Sequence, residues 1–148
     1  SGWGQMINQA GGHNVIESDM QVEDSDYADA EAVINSNPDV VIKTVYRDQK
    51  DGIMADNYLP PEEADYTFAK EEMKSREGFS KMKAIEDDNI IMCSDFCLRG
   101  GGNTVGLAFF AKWLHPDLFE DFDAYEIFDQ WMTEFQNMDA IEGHVYEG

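Results

Sequence analysis

The side chains best suited to holding a ligand follow two apolar stretches of the chain. Tyr46 and Arg47 come directly after the first stretch, and Phe96 and Arg99 come shortly after the second. A guanidinium presents a rigid fork of N–H donors that matches a carboxylate or another anionic oxygen. An aromatic ring adds a flat apolar surface. This combination favours a site for an anionic, partly flat ligand; the alternative is that both arginines pair with surface carboxylates.

A glycine run separates Arg99 from Asn103 and Thr104. The run lacks the Lys-Ser/Thr pair of a P-loop and is not a GxGxxG motif, so it does not favour a nucleotide site. Glycines allow the backbone to approach a ligand closely, which makes Asn103 a candidate contact. A plain connection between two elements is the other interpretation.

The two apolar stretches, Val40–Val45 and Asn89–Ser94, are predicted to be strands, the first of them a central parallel strand. Parallel strands end at a common edge, and open α/β sheets bind ligands outside the carboxyl ends of their strands. The sequence therefore predicts a three-layer α/β lobe with a small, mainly parallel central sheet flanked by helices, and a ligand cleft at the carboxyl edge of that sheet.

Apolar spacing, prolines and glycines define the remaining elements. A short strand is predicted at His13–Ile16, and the tail after Met138 is ambiguous. The aromatic residues of the last two helices are predicted to lie in the core. Helices are predicted at about 3–10, 29–36, 60–75, 105–115 and 123–136.

Size and charge restrict the class of protein. A chain of 148 residues is enough for a single domain, and its net charge of −21 repels phosphate backbones, so nucleic-acid binding is not expected. The sequence contains neither an apolar run long enough to span a bilayer nor a secretory signal at its start. It opens on Ser1 without a methionine, as an excised piece of a longer protein would.

Other reactive residues do not form a recognisable catalytic or metal-binding pattern. Cys93 and Cys97 have three interpretations: a buried thiol with a loop thiol, a short-range disulfide, or metal ligands. The three histidines are widely separated, and Ser94 has no evident base partner. We therefore predict a binding protein and not an enzyme, with no resident metal or cofactor.

The order of motifs resembles the carboxyl-terminal lobe of the helical-backbone solute-binding proteins of ABC importers, the type that binds iron siderophores, haem or cobalamin. Four segments carry the resemblance over nearly the whole chain: an opening helix into Ala10–Val15, Glu31 leading to Asn37–Ile42, Phe79–Glu86 before Asn89–Cys93, and Gly106–Ala108 through Trp113–Phe119.

The resemblance implies one lobe, residues 1–148, of a two-lobed extracytoplasmic receptor that binds an iron chelate, haem or corrinoid in the cleft between its lobes. It implies delivery to ABC permease subunits, with Glu31 docking on permease arginines, and membrane association only through the permease or a lipid anchor on the missing amino-terminal part. An exposed carboxylate at a helix start is the ordinary alternative for Glu31. The ligand contacts Tyr46, Arg47, Phe96, Arg99 and Asn103 rest on topology.

Two other functions stay open at this point. One is an α/β enzyme domain that holds a metallocluster or a nucleotide, which would need more cysteine or histidine ligands than the sequence offers. The other is an interaction lobe without a small ligand, whose acidic surface binds a protein.

Overall fold

The computed structural model describes residues 2–20, 28–48, 59–98 and 103–146, with α/β architecture throughout. Its helices are α1 (Gly2–Gln9), α2 (Val15–Ser18), α3 (Ala30–Ser36), α4 (Glu63–Ser75), α5 (Lys83–Glu86), α6 (Asn103–Leu114) and α7 (Ala124–Trp131). Its strands are β1 (Val41–Thr44), β2 (Ile90–Cys93) and β3 (Val145–Tyr146). Short 3-10 helices span Phe79–Lys81 and Asp95–Leu98, and a π-helix, Met132–Gln136, continues α7.

The described strands form one sheet in the order β1-β2-β3. β1 and β2 run parallel, with Val41 opposite Ile90 and Thr44 opposite Cys93. β3 is antiparallel to β2 and pairs only with Met92 and Cys93. The predicted three-layer fold with a small, mainly parallel sheet is confirmed.

One strand position was predicted wrongly. The first apolar stretch was expected to be the central strand, but β1 lies at the edge of the described sheet and its four residues are only half-buried. The central strand is β2, whose Met92 and Cys93 have no exposed surface. An apolar, β-branched composition identifies a strand, but it does not tell a central strand from an edge strand that helices cover.

The predicted strand at His13–Ile16 is also wrong, because the chain enters the single helical turn α2 at Val15. Asn14 is the N-cap, and its side chain accepts a hydrogen bond from the backbone N–H of Ile16 at 3.3 Å. This local cap outweighs the strand propensity of two β-branched residues.

The five predicted long helices form close to their expected bounds because their caps agree with their apolar patterns. Asp29 and Asp123 cap α3 and α7 with their side chains. At the start of α4 the backbone N–H of Glu62 donates to Oδ2 of Asp65 at 2.9 Å, which forms a capping box. Asn37 ends α3 in the left-handed conformation that asparagine tolerates better than most residues.

Two apolar clusters cover the two faces of the sheet. One joins β2 to α1, α6 and α7 around Phe109 and Phe110, and the other joins β1 and β2 to α4 and α5 around Tyr66 and Met82. The expectation that all aromatics of the last helices are core is wrong for Tyr125 and Phe135, which are 42% and 72% exposed.

Candidate functional site at the carboxyl edge of the sheet

The carboxyl ends of β1 and β2 lie side by side, as the ligand-cleft interpretation requires. The backbone N–H of Val45 donates to the carbonyl of Cys93 at 2.9 Å, so the parallel pairing persists to the last residue of β2. Tyr46 and Arg47 therefore leave the sheet at the same edge as Phe96. Two of the candidate segments are brought together by the strand register alone.

Beyond β2, the chain is fixed by Ser94 and His144. The Oγ atom of Ser94 lies 2.7 Å from Nδ1 of His144, and the backbone N–H of Ser94 donates to the carbonyl of His144, also at 2.7 Å. Both residues are buried, with 3% and 2% of their surface exposed. Ser94 thus has an imidazole partner that sequence reasoning did not find, but the pair is closed to solvent and joins the end of β2 to the approach to β3.

Phe96 covers this pair with its ring. The ring stacks on the imidazole of His144 at a centroid distance of 4.5 Å and meets Phe128 and Trp131 edge-on at 6.1 and 6.4 Å. Phe96 and Trp131 remain half-buried, so part of this aromatic group is accessible at the carboxyl edge. Such a surface suits the flat part of a ligand.

Arg47 is held by the start of α4. One terminal nitrogen donates to the carbonyl of Pro60 at 2.9 Å, and the other donates to Glu62 at 2.7 Å. Arg47 thus pairs with a surface carboxylate, as the alternative to ligand binding in the sequence analysis expected. A guanidinium has five N–H donors, so the two contacts do not exhaust its capacity. Tyr46 precedes it and is half-buried.

The other candidate residues are Asn103, Arg99 and Glu31. Asn103 is the first residue of α6 and is exposed, while Arg99 lies outside the described residues. Glu31 is exposed in the first turn of α3, two residues after the N-cap Asp29. The structure thus places Glu31 where a partner can reach it and leaves its docking role a prediction.

Of the two cysteines, Cys93 has a described side chain. Cys93 is a free thiol buried in the core. The side chain of Cys97 lies outside the part of the chain that the structure describes. Among the described residues, no cluster of three or more histidine, cysteine or acidic side chains is arranged to hold a metal ion. Within the same ranges, no helix is both long enough and apolar enough to cross a membrane.

The groups whose pKa values are shifted lie away from the carboxyl edge. Burial is the main cause that lowers the pKa of Lys43 in β1, and repulsion from Arg76 adds to it. Hydrogen bonds from Lys70 and Lys74 lower the pKa of Asp88, which precedes β2. The described residues of the carboxyl edge supply hydrogen-bond donors, from Arg47, and an aromatic group around Phe96.

Comparison with solved structures identifies a protein with a similar fold. The chain is similar to the crystal structure of the TroA-like periplasmic binding protein FepB from Veillonella parvula, with a TM-score of 0.82 and 20% sequence identity. The match covers 98% of this chain and 41% of that one, so this chain spans less than half the length of its structural neighbour. No protein-family model and no curated protein sequence matches the chain.

This likeness confirms the resemblance at the level of the fold. Nearly the whole chain follows the path of a periplasmic binding protein. The agreement arises from the order of elements and not from shared residues, because only one residue in five is identical.

Sequence reasoning missed two members of the aromatic group, His144 and Trp131. His144 lies in the tail whose structure the sequence left ambiguous, 48 positions after Phe96. Trp131 was assigned to the core because its helical spacing matches a packed face. No local signal connects either residue to β2, since only the antiparallel pairing of β3 brings the tail to the sheet.

Proposed function

We propose that this chain is the carboxyl-terminal lobe of a two-lobed extracytoplasmic solute-binding protein. The intact protein captures an iron chelate (a siderophore), haem or a corrinoid between its lobes and delivers it to the membrane subunits of an ABC importer. The observation that carries the proposal is the fold likeness over 98% of the chain to a periplasmic binding protein of more than twice its length.

The carboxyl edge of the sheet supplies this lobe's half of the clamp. Phe96 and Tyr46 provide apolar contact, and the spare donors of Arg47, with Arg99 and Asn103, bind anionic or carbonyl oxygens of the ligand. Because the chain carries a net charge of −21, the rest of its surface repels an anionic chelate. Basic residues at the strand ends then direct such a ligand to the cleft. One lobe alone binds weakly, because half of the buried ligand surface is absent.

Glu31 is proposed as the permease contact of this lobe. It is exposed on the first turn of α3, away from the described hydrogen bonds of the cap. A carboxylate in that position is free to pair with a basic side chain on a partner. The release of ligand then requires the permease to separate the lobes, and the membrane anchor belongs to the amino-terminal part of the protein.

The test is a titration of the two-lobed parent protein with a ferric catecholate, a ferric hydroxamate, haem and cyanocobalamin, followed by tryptophan fluorescence. We expect a Kd of about 1 μM or tighter for one class, and about tenfold weaker binding after Arg47→Met or Phe96→Leu. Lys81→Met is the matched control, because Lys81 is exposed and its replacement removes one positive charge, as Arg47→Met does. Failure of all four ligands to bind, with binding of an unrelated solute, contradicts the ligand assignment.

The docking role is tested separately by co-purification of the parent protein with its permease. We expect Glu31→Lys to weaken the complex and leave ligand affinity unchanged, whereas Glu71→Lys on the exposed face of α4 changes neither. An unaltered complex with Glu31→Lys contradicts the assignment of Glu31 and leaves the ligand site standing.

A further inference from the structure

A concave site lies at the amino-terminal edge of the sheet, opposite the carboxyl edge. It is a pocket of about 350 Å³, a volume within the range of small-molecule sites. Its walls come from α4, the residues that lead into β2, the end of α6 and the end of β3. The lining residues are Lys70, Asp88, Asn89, Ile90, Ile91, Lys112, Trp113, Pro116 and Tyr146.

The pocket lies beside the amino-terminal half of β2. Among the described residues, β3 pairs with Met92 and Cys93 in the other half of that strand. Helices α4 and α6 cover opposite faces of the sheet and continue past this point, and they contribute Lys70 on one side and Lys112 with Trp113 on the other. The pocket therefore lies between the two helical layers.

The backbone groups of β2 alternate between the β1 side and the β3 side of the sheet. The N–H of Val41 donates to the carbonyl of Asn89, while the N–H of Ser94 donates to His144 on the β3 side. Backbone direction alternates along a strand, so Ile90, four residues before Ser94, turns its N–H and C=O toward the β3 side. Ile90 and Ile91 of β2 also line the pocket and give it apolar surface.

The charge around the pocket differs in sign from that of the chain. Asp88 is shared by two lysines: its Oδ2 accepts a bond from Lys70 at 2.8 Å, and its Oδ1 accepts one from Lys74. Lys112 donates to the carbonyl of Phe122 at 2.8 Å. Two of the ten basic residues of a chain with 31 acidic ones therefore pair with one carboxylate, and a third, Lys112, lines the same pocket.

Both lining lysines have hydrogen-bonding capacity left. An ammonium has three donors, and each of Lys70 and Lys112 uses one of them in the described contacts. Lys70 is mostly buried, with 18% of its side chain exposed, so its position is fixed by packing and by Asp88. Both lysines line the pocket, so each can donate to an anionic group bound there.

The remaining walls are aromatic and apolar. Trp113 and Pro116 form one side, and Tyr146 forms another, with its ring stacked on Tyr66 at a centroid distance of 4.9 Å and an interplanar angle of 12°. The stack holds Tyr146 in place. A ligand that matches both features has a planar apolar body and one acidic group.

We propose that the amino-edge pocket binds a small aromatic carboxylate, with its acidic group between Lys70 and Lys112 and its ring against Trp113 and Tyr146. This site lies at the other end of the strands from the carboxyl edge and does not depend on the proposed solute-binding function.

Calorimetric titration of the full 148-residue chain tests this inference, with indole-3-acetate and benzoate as the probes. For ligands of this size we expect a Kd of about 1 mM or tighter. Lys70→Met and Lys112→Met should each weaken binding about tenfold, because each removes a charged donor from the acidic group. Lys81→Met, which changes net charge equally at an exposed position, should leave the affinity unchanged.

Further probes distinguish this site from general attraction to charge or to apolar surface. Neutral indole-3-acetamide should bind at least tenfold more weakly than indole-3-acetate, and inorganic phosphate should not displace the aromatic acid at equal concentration. Lys112→Arg, which retains the charge, should keep most of the affinity and controls for a fold defect in the Met variant.

The inference is overturned by any of three results. The first is that neither aromatic acid gives a heat of binding at about ten times the expected Kd. The second is that the neutral amide binds as tightly as the acid. The third is that the Lys70→Met, Lys112→Met double variant keeps full affinity. Loss of indole-3-acetate binding on Arg47→Met would also overturn it, since that change lies at the carboxyl edge.

Discussion

The two edges of the same sheet present different donors. At the carboxyl edge Ser94 bonds with His144, and Arg47 uses two of its five N–H donors on Glu62 and Pro60. At the amino edge Lys70 and Lys112 each use one of three donors and face a pocket. The contrast teaches that a position at a strand end identifies where ligands can bind, whereas the donors left over decide what is bound there.

The largest expected effect tests whether both edges depend on one core. Phe110 is fully buried and packs against Trp113 at a centroid distance of 5.6 Å. Phe110→Ala should lower the free energy of unfolding by about 3–5 kcal/mol through lost transfer energy and a cavity. Urea unfolding should show a single transition, with signals from both edges lost together.

The control for this change is Phe135→Ala, because Phe135 is 72% exposed and should tolerate truncation within about 0.5 kcal/mol. Separate transitions for the two edges would mean that the sheet does not connect them, and the comparison of the edges as two ends of one unit would fail.

The next effect concerns the carboxyl edge alone. Ser94→Ala leaves the buried imidazole of His144 without the hydroxyl that lies 2.7 Å from Nδ1. Loss of one partner from a buried hydrogen bond costs about 1–3 kcal/mol. The free energy of unfolding in urea should fall by that amount, while indole-3-acetate binding at the amino edge stays unchanged.

Ser80→Ala is the matched control for Ser94→Ala, since Ser80 is exposed on a 3-10 helix. An equal change in both variants would show that the Ser94–His144 contact contributes nothing specific.

Lys43 gives a smaller effect of the opposite sign. It lies in β1 between the two edges, and burial together with Arg76 lowers its pKa below 10.5. Its charge is therefore unfavourable in the folded state, and Lys43→Met should stabilise the protein at pH 7 by up to about 1 kcal/mol, after allowance for its partial exposure.

The pH dependence of this effect has a definite sign. Because the pKa of Lys43 is lower in the folded chain, the unfolded chain binds more protons than the folded chain as the pH approaches 10.5. The free energy of unfolding of the wild type therefore rises with pH over that range. The advantage of Lys43→Met should shrink as the pH rises toward 10.5. An advantage that is constant with pH would assign it to packing instead.

The smallest effect is at Arg47. Its pair with Glu62 is exposed, with 29% and 57% of the two side chains accessible. Such pairs contribute about 0–1 kcal/mol, so Arg47→Met should change stability by less than about 1 kcal/mol and the change should shrink at high salt. Glu62→Gln removes only the charge that faces Arg47 and leaves the contact with the Pro60 carbonyl in place, so it should change stability by an equal or smaller amount. A loss well above 1 kcal/mol would make Arg47 a structural residue and weaken its assignment to the ligand.

Local signals in the sequence were sufficient for most of the fold. Apolar periodicity predicts the starts of α3 and α7 within one residue, next to the caps Asp29 and Asp123, although α7 passes into a π-helix at Met132, before its expected end. The parallel pairing of β1 with β2 follows from the helix between two apolar strands. By contrast, α2 replaced a predicted strand because Asn14 caps it, and β3 was missed because two residues carry too little pattern.

The candidate site was predictable only in its location. Strand order placed Tyr46, Arg47 and Phe96 at one edge, as the register confirms. The contacts of Arg47 with Glu62 and of Phe96 with His144 join residues 15 and 48 positions apart, so they depend on tertiary packing. The amino-edge pocket could not be foreseen, because its lining residues come from four separate parts of the chain, around positions 70, 90, 113 and 146.

The most direct test of the central claim is an NMR titration of the isotopically labelled 148-residue chain with a gallium(III) catecholate siderophore, a diamagnetic stand-in for the iron chelate. The account predicts weak binding, with shift changes at Tyr46, Phe96, Asn103 and Trp131 and none at Lys112 or Trp113. Changes confined to the amino edge, or no changes at the carboxyl edge at millimolar ligand, would contradict it.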